Sequence, residues 1–118
     1  MKKDIYHDLK AIKKIVEKVS QEEDISFVSQ KRHFVFLRLV FYELARIHTK
    51  HSLQEIANLC DVTHATVSTG QKNFFFNYQK ENFKEYKAIY NSCNYYIIEY
   101  YKIYYTELFD NLNNPNII

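Results

Sequence analysis

Four side chains in the middle of the chain have types that could hold a metal: His48, His51, Cys60 and His64. Their spacing, His-x-x-His followed by Cys-x-x-x-His, is in the range of zinc ligands. A zinc site of that kind wants a second cysteine pair, and the only other cysteine is Cys93. His51 stands next to a helix cap, Cys60 falls on the packing face of a short helix and His64 opens the following one. Each therefore has a structural reading, and no metal is expected. As a catalytic base His64 lacks a nucleophile or carboxylate in a recognisable arrangement, so neither an enzyme nor a cofactor is expected. The chemistry that remains is electrostatic. Residues 27–80 hold seven Lys and Arg against three acids, and four of the five His. Residues 1–26 are balanced, and residues 81–118 carry three Lys against five acids. A positive potential concentrated on one segment suits phosphates, although a weakly basic stretch alone is more often a solvated surface.

The elements that must position these residues are helical. One Gly, one Pro and no Trp leave little punctuation for tight turns, and 47% apolar residues are enough for a packed core. Residues 4–19 read as an amphipathic helix, with Ile5, Leu9, Ile12, Ile15, Val16 and Val19 three and four apart. A polar break, Gln21-Glu22-Glu23-Asp24, leads through Ile25, Phe27 and Val28 to the basic Lys31-Arg32-His33. Residues 33–48 are apolar almost all round, as in a centrally buried helix, and too long for a buried strand. Ser52-Leu53-Gln54-Glu55 spells a capping box, predicting a short helix over 53–60. Asp61-Val62 is a turn, and Thr63 is an N-cap for a helix over 64–79 with Val67, Gly70 and Phe74 on one face. Residues 82–110 lack Gly and Pro, and Phe83, Tyr86, Tyr90, Cys93, Ile97, Tyr100 and Tyr104 recur at helical spacing, predicting one long helix. The tail from Asn111 is expected to fray.

The fold expected is thus all-α, a small helical bundle in a single domain of 118 residues. It divides into an N-terminal helix and break (1–26), a helix-turn-helix core (27–80), a long Tyr-rich helix (81–110) and a tail (111–118). Two cysteines and the lack of a signal-peptide or membrane-spanning pattern suit a cytoplasmic protein with no membrane partner.

A capped short helix, a tight turn and a capped longer helix are the arithmetic of a helix-turn-helix, whose last helix keeps one face free for a major groove. Here the first turn, His64-Ala65-Thr66, offers short polar and methyl groups suited to base edges. The run Ile56-Ala57-Asn58-Leu59-Cys60-Asp61-Val62-Thr63-His64-Ala65-Thr66-Val67, continuing to Gly70 and Lys72, resembles the signature of the C-terminal DNA-binding domain of the bacterial replication initiator DnaA. Upstream, Asp24-Ile25, Lys31-Arg32, Arg38, Ala45 and the Thr49-x-x-Ser52-Leu53-x-Glu55-Ile56 run fall where that family has like residues. The resemblance covers roughly residues 11–95 at low identity, with 49–67 its specific part.

What the resemblance implies is a double-stranded DNA binder with a DnaA-like or Trp-repressor-like core. The base-reading triplet of the family corresponds to Thr63, His64 and Ala65, with Thr66 following. Lys31 or Arg32 would reach a minor groove. Arg38 and Arg46 would hold phosphates along the long buried helix, Leu53 and Gln54 would lie near the DNA, and Lys72 takes the place of the family's basic residue. The departures are Val62 for a signature Arg, Thr63 for the base-reading Asp and Ala65 for a Thr, so the family's target sequence does not transfer. No Gly-x-x-x-x-Gly-Lys-Ser/Thr loop is present, which points to a stand-alone DNA-binding domain without the initiator's ATPase machinery; as a DNA binder it would be nucleoid-associated.

Two readings follow. One is a duplex DNA binder. The other is a protein-interaction module that kept the fold and lost specific DNA readout, as Val62 and Thr63 would allow. Gly70 inside a helix is read as a close-packing site rather than a hinge. The Tyr-rich helix is read as core or a helix–helix interface rather than a base-stacking platform, given the acidic balance of its segment. Its length and second apolar face, Ile98, Tyr101, Tyr105 and Phe109, predict a homodimer through the C-terminal helix.

Overall fold

Phe36, Leu37, Leu39, Val40, Phe41, Tyr42, Leu44 and Ala45 cannot all share one helix face. In the computed structural model, which describes residues 6–113, all eight are buried on a helix that the others enclose. The described residues contain five α-helices and one 3-10 turn: α1 (His7–Ser20), α2 (Arg32–His48), α3 (Leu53–Cys60), α4 (His64–Asn77), the 3-10 turn Glu81–Phe83, and α5 (Lys84–Asn113). The helix α2 is the central element, packed by α1, α4 and α5, while α3 packs on α4 and α1 lies along α5. The all-helical expectation is met. Among the described residues no helix is long and apolar enough to cross a membrane.

Several boundaries differ from the sequence reading. The first helix begins at His7 and Ile5 lies outside the described residues. Lys31 is the N-cap of α2, so Arg32 stands in its first turn rather than ahead of it. The helix α4 ends at Asn77, two residues before the expected end. The long helix starts at Lys84 after a 3-10 turn and continues through Asn113, so residues 111–113 extend it instead of fraying; residues 114–118 lie outside the described set. Helix α5 has no Gly or Pro to stop it, and Asn111-Leu112-Asn113 simply follows.

A chain with a single glycine must turn without it. Helices α1 and α3 both end on a non-glycine residue in the left-handed region, Gln21 at φ 63° and Asp61 at φ 56°. After each, the backbone N–H groups return to the last turn: Glu22 to the Glu17 carbonyl at 2.9 Å, Val62 to the Ala57 carbonyl at 3.0 Å. This Schellman arrangement satisfies carbonyls that the helix end leaves open, and offsets the steric cost of a side chain at positive φ. The predicted capping box forms, with Glu55 N–H donating to Ser52 Oγ at 3.1 Å and Ser52 N–H to Glu55 Oε1 at 3.0 Å.

The segment between α1 and α2 has no regular structure but is tied at both ends. Lys13 Nζ bridges Glu17 and Asp24, each at 2.7 Å, and Ile25 N–H donates to Glu17 at 3.0 Å, which seats the Ile25 side chain in the core. Phe27 packs edge-on against Phe41. Arg38 closes the other end, donating from Nη1 to the carbonyl of Ser29 at 2.7 Å and of Ser26 at 3.3 Å.

Candidate functional site

The helix α4 has one face fastened to the core and the opposite face open. Val67, Gly70 and Phe74 are buried, as their spacing predicts. Gly70 sits against the Tyr42 ring of α2, so close that a Cβ there would lie 2.4 Å from Tyr42 Cδ2. Ala65, Thr69, Lys72 and Phe76, spaced four, three and four apart, form the exposed line on the other side. His64, Thr66 and Asn73 are exposed beside it. No acidic residue lies on α4.

Two open grooves run along the flanks of α4. One is lined by Val35, Arg38, Leu39 and Tyr42 of α2 and by Ala65, Thr66, Thr69, Gly70 and Asn73 of α4. The other is lined by Arg46, Ser68, Gln71, Lys72 and Phe75. Each groove therefore has an arginine from α2 on its wall. The two arginines differ in what holds them. Arg38 spends Nη1 on the Ser26 and Ser29 carbonyls and is half-buried. Arg46 is exposed, its Nε 2.5 Å from Oε1 of the buried Glu43 and its guanidinium 5.5 Å from the centre of the Phe75 ring. The buried carboxylate fixes the base of the Arg46 head group and leaves its far edge toward solvent.

The other residues singled out by sequence are less concentrated. Lys31 and Arg32 are exposed at the start of α2, with the Arg32 guanidinium 5.6 Å from the centre of the Phe36 ring. Leu53 packs on the core, whereas Gln54 is exposed and donates to Asn58 Oδ1 at 2.7 Å. Thr63 caps α4, its Oγ1 accepting from Thr66 N–H at 3.2 Å, and the Thr63 and Thr66 hydroxyls lie 2.9 Å apart. Those two hydroxyls serve the cap, so the groups left to project from the first turn are His64 and the methyls of Ala65 and Thr66. Neither groove lining includes Lys31, Arg32, Leu53, Gln54 or His64.

Sequence reading missed Phe75, Phe76 and Lys80. Phe75 and Phe76 are 59% and 70% exposed. Lys80 Nζ stands 3.8 Å from the centre of the Phe76 ring. The signal was present: Phe74, Phe75 and Phe76 are consecutive, and helical residues about 100° apart cannot all point at one core.

The four candidate zinc ligands do not converge. His48 Nε2 lies 2.5 Å from Asn94 Oδ1. His51 bridges Asp8 and Glu55, Cys60 is buried and His64 is exposed. Burial pushes the Cys60 and Cys93 thiols up to about 12, which leaves both protonated and unreactive at neutral pH. Among the described residues no three His, Cys, Asp or Glu side chains form a group able to hold a metal.

Comparison of the chain with protein-family models, with curated proteins and with solved structures finds no match.

Proposed function

We propose that this protein binds double-stranded DNA, with α3 and α4 acting as a helix-turn-helix and α4 entering the major groove. The observation that carries the reading is the open face of α4. It has no acidic residue, Lys72 stands on it, and Arg46 and Arg38 line the grooves on its two sides. A helix fastened along one side by Val67, Gly70 and Phe74 keeps the other side rigid, which a groove-inserted helix needs. Short side chains at Ala65, Thr66 and Thr69 let that side approach base edges. Arg46, Lys72, Lys31 and Arg32 are the phosphate contacts, with Arg38 contributing charge from its braced position. The resemblance of residues 49–67 to the DnaA DNA-binding signature supports the same reading.

The chain also forms a homodimer through α5 in this proposal. The exposed Tyr95, Tyr96, Ile98 and Ile103 lie in a segment whose net charge is acidic, which suits a protein surface better than a polyanion. A two-fold dimer would present two copies of α4 to two half-sites.

The test is fluorescence anisotropy of labelled random-sequence duplex across a range of salt. Binding whose log–log salt slope is about −0.9 per phosphate contact is expected. No binding at low salt would overturn the DNA reading and leave the protein-interaction module in its place.

A further inference from the structure

The exposed line of α4 is unusual in what it offers to bases. Its four members are Ala65, Thr69, Lys72 and Phe76. Three of them present a methyl group or an aromatic ring. The helix carries no Arg, Asp or Glu, and the side chain of its one Gln, Gln71, is turned back toward the Tyr42 carbonyl, 3.5 Å away. Arginine on guanine and glutamine on adenine are therefore missing from this surface; the hydrogen-bonding side chains it keeps are Thr69 and Lys72 on the line and Asn73 to one side of it. The base feature that methyls and rings recognise is the 5-methyl group of thymine.

Phe76 gives the second observation. A phenylalanine 70% exposed at the end of a helix has no role in this core. It is not an apolar patch in neutral surroundings, because Lys80 stands over its ring and Lys72 is one turn before it on the same line. Its neighbour Phe75 lies under Arg46. Rings framed by cations fit a partner that is apolar at its centre and anionic at its edges. A duplex groove lined with thymine methyls between two phosphate strands has that pattern. Ala65 and Phe76 are eleven residues apart, so the line is about 16 Å long, enough to follow several base pairs along a groove.

We propose that Ala65, Thr69 and Phe76 form an apolar reading edge that selects thymine-rich duplex through its 5-methyl groups. The proposal rests on the DNA-binding reading and narrows it to a target class. The methyls and the ring of the edge make no hydrogen bond to bases, so their selectivity comes from burial of methyl groups, with Lys72, Lys80 and Arg46 supplying phosphate attraction that is blind to sequence.

The experiment compares two duplexes that differ only in the 5-methyl group, one of alternating and clustered A·T pairs and the same sequence with deoxyuridine in place of thymidine. Anisotropy titrations use the full-length protein and Phe76→Ala, a substitution at an exposed side chain that leaves the core untouched. Native protein is expected to bind the thymidine duplex more tightly, by about fourfold for each methyl it buries. Phe76→Ala is expected to bind the thymidine duplex more weakly and to show a smaller ratio between the two. Equal affinity of the native protein for both duplexes would overturn the thymine-methyl edge while leaving DNA binding standing. A Phe76→Ala ratio equal to the native one would remove Phe76 from the edge. Failure to bind either duplex would overturn the DNA reading itself, and the reading edge with it.

Discussion

Gly70 of α4 rests on the ring of Tyr42 of α2, with the position of a missing Cβ only 2.4 Å from Cδ2 and 2.8 Å from Cε2. Tyr42 is 2% exposed and makes ring contact with Phe27 and Phe41, so its ring cannot swing aside. The contact sets how near the outward-facing helix lies to the central one. Alanine at 70 would gain about 1 kcal/mol of helix propensity. It would also force overpacking that costs about 1–3 kcal/mol. Gly70→Ala is expected to be destabilised by up to about 2 kcal/mol net in chemical denaturation. Combined with Tyr42→Leu, which vacates the ring, it should cost less than the two single changes added together. Additive costs would mean that the two residues are not coupled.

Arg38 and Lys72, one from each groove beside α4, should separate when replaced. Arg38 holds two backbone carbonyls of the α1–α2 segment, and a hydrogen bond from a charged donor contributes about 1.5–3 kcal/mol. Arg38→Ala is therefore expected to lower stability measurably. Lys72→Ala, at an exposed position, should stay within about 0.5 kcal/mol of the native protein. In DNA titrations Lys72→Ala should weaken all duplexes alike and reduce the salt slope by about 0.9. Should Arg38→Ala unfold at the same denaturant concentration as the native chain, the brace has no energetic weight.

His51 joins the start of α1 to the start of α3. Its Nε2 lies 2.8 Å from Asp8 Oδ1 and its Nδ1 3.4 Å from Glu55 Oε2, with the Tyr6 ring alongside. Burial works against the imidazolium, but the hydrogen bonds and charges of Asp8 and Glu55 outweigh it and raise the pKa above the ordinary 6.5. The folded state thus holds the proton more tightly than the unfolded chain. The resulting stabilisation is fully present below about pH 6.5 and is lost as pH rises through the raised folded value. Thermal melts of native protein should show Tm falling from pH 6 to pH 8, relative to both His51→Gln and Asp8→Asn. Parallel Tm–pH curves for the three proteins would deny His51 this role.

Much of this architecture was legible from residue order. The capping box at Ser52 and Glu55, the Thr63 cap and the extent of α3 follow from local chemistry, because capping hydrogen bonds span only three residues. The burial of α2 followed from its continuous apolar run. Tertiary placement was less legible. That Arg38 braces backbone carbonyls while Arg46 pairs with the buried Glu43 depends on which side of α2 faces the 26–29 segment, and the spacing of the two arginines does not encode it. The stop of α5 was misplaced because a polar Asn-rich sequence looks like a frayed end, yet nothing in it forbids another helical turn. Within the candidate site, the signature-like run and the cap at Thr63 point to Ala65, Thr66 and Lys72, whereas Phe76 belongs to no motif and its exposure depends on Phe74 being the ring that the core takes.

Helix α5 has thirty residues, about 45 Å at 1.5 Å per residue, whereas α1, which lies along it, has fourteen and spans about 21 Å. Cys93 and Ile97 are buried on its inner side and Tyr101 packs against the core, so the second apolar face predicted from sequence is partly covered within the chain. The side chains of Tyr105 and Phe109, expected on that face, lie outside the described residues. Among the described side chains Tyr95, Tyr96, Ile98, Ile103 and Tyr104 stay exposed, of which Tyr96 and Ile103 are seven residues apart and so share one side. Tyrosine tolerates both water and an apolar partner, as an interface that forms after folding requires. Sedimentation of the full chain over a wide concentration range should give a dimer. Tyr96→Glu and Ile103→Glu place a charge at exposed positions and should yield monomers with unchanged helical circular dichroism. Each should also lose affinity for a palindromic duplex far more than for a single half-site, because two linked α4 helices bind with an effective concentration that one cannot supply. A native chain that sediments as a monomer at every concentration would refute the dimer, and variants that remain dimeric would place the interface on another surface.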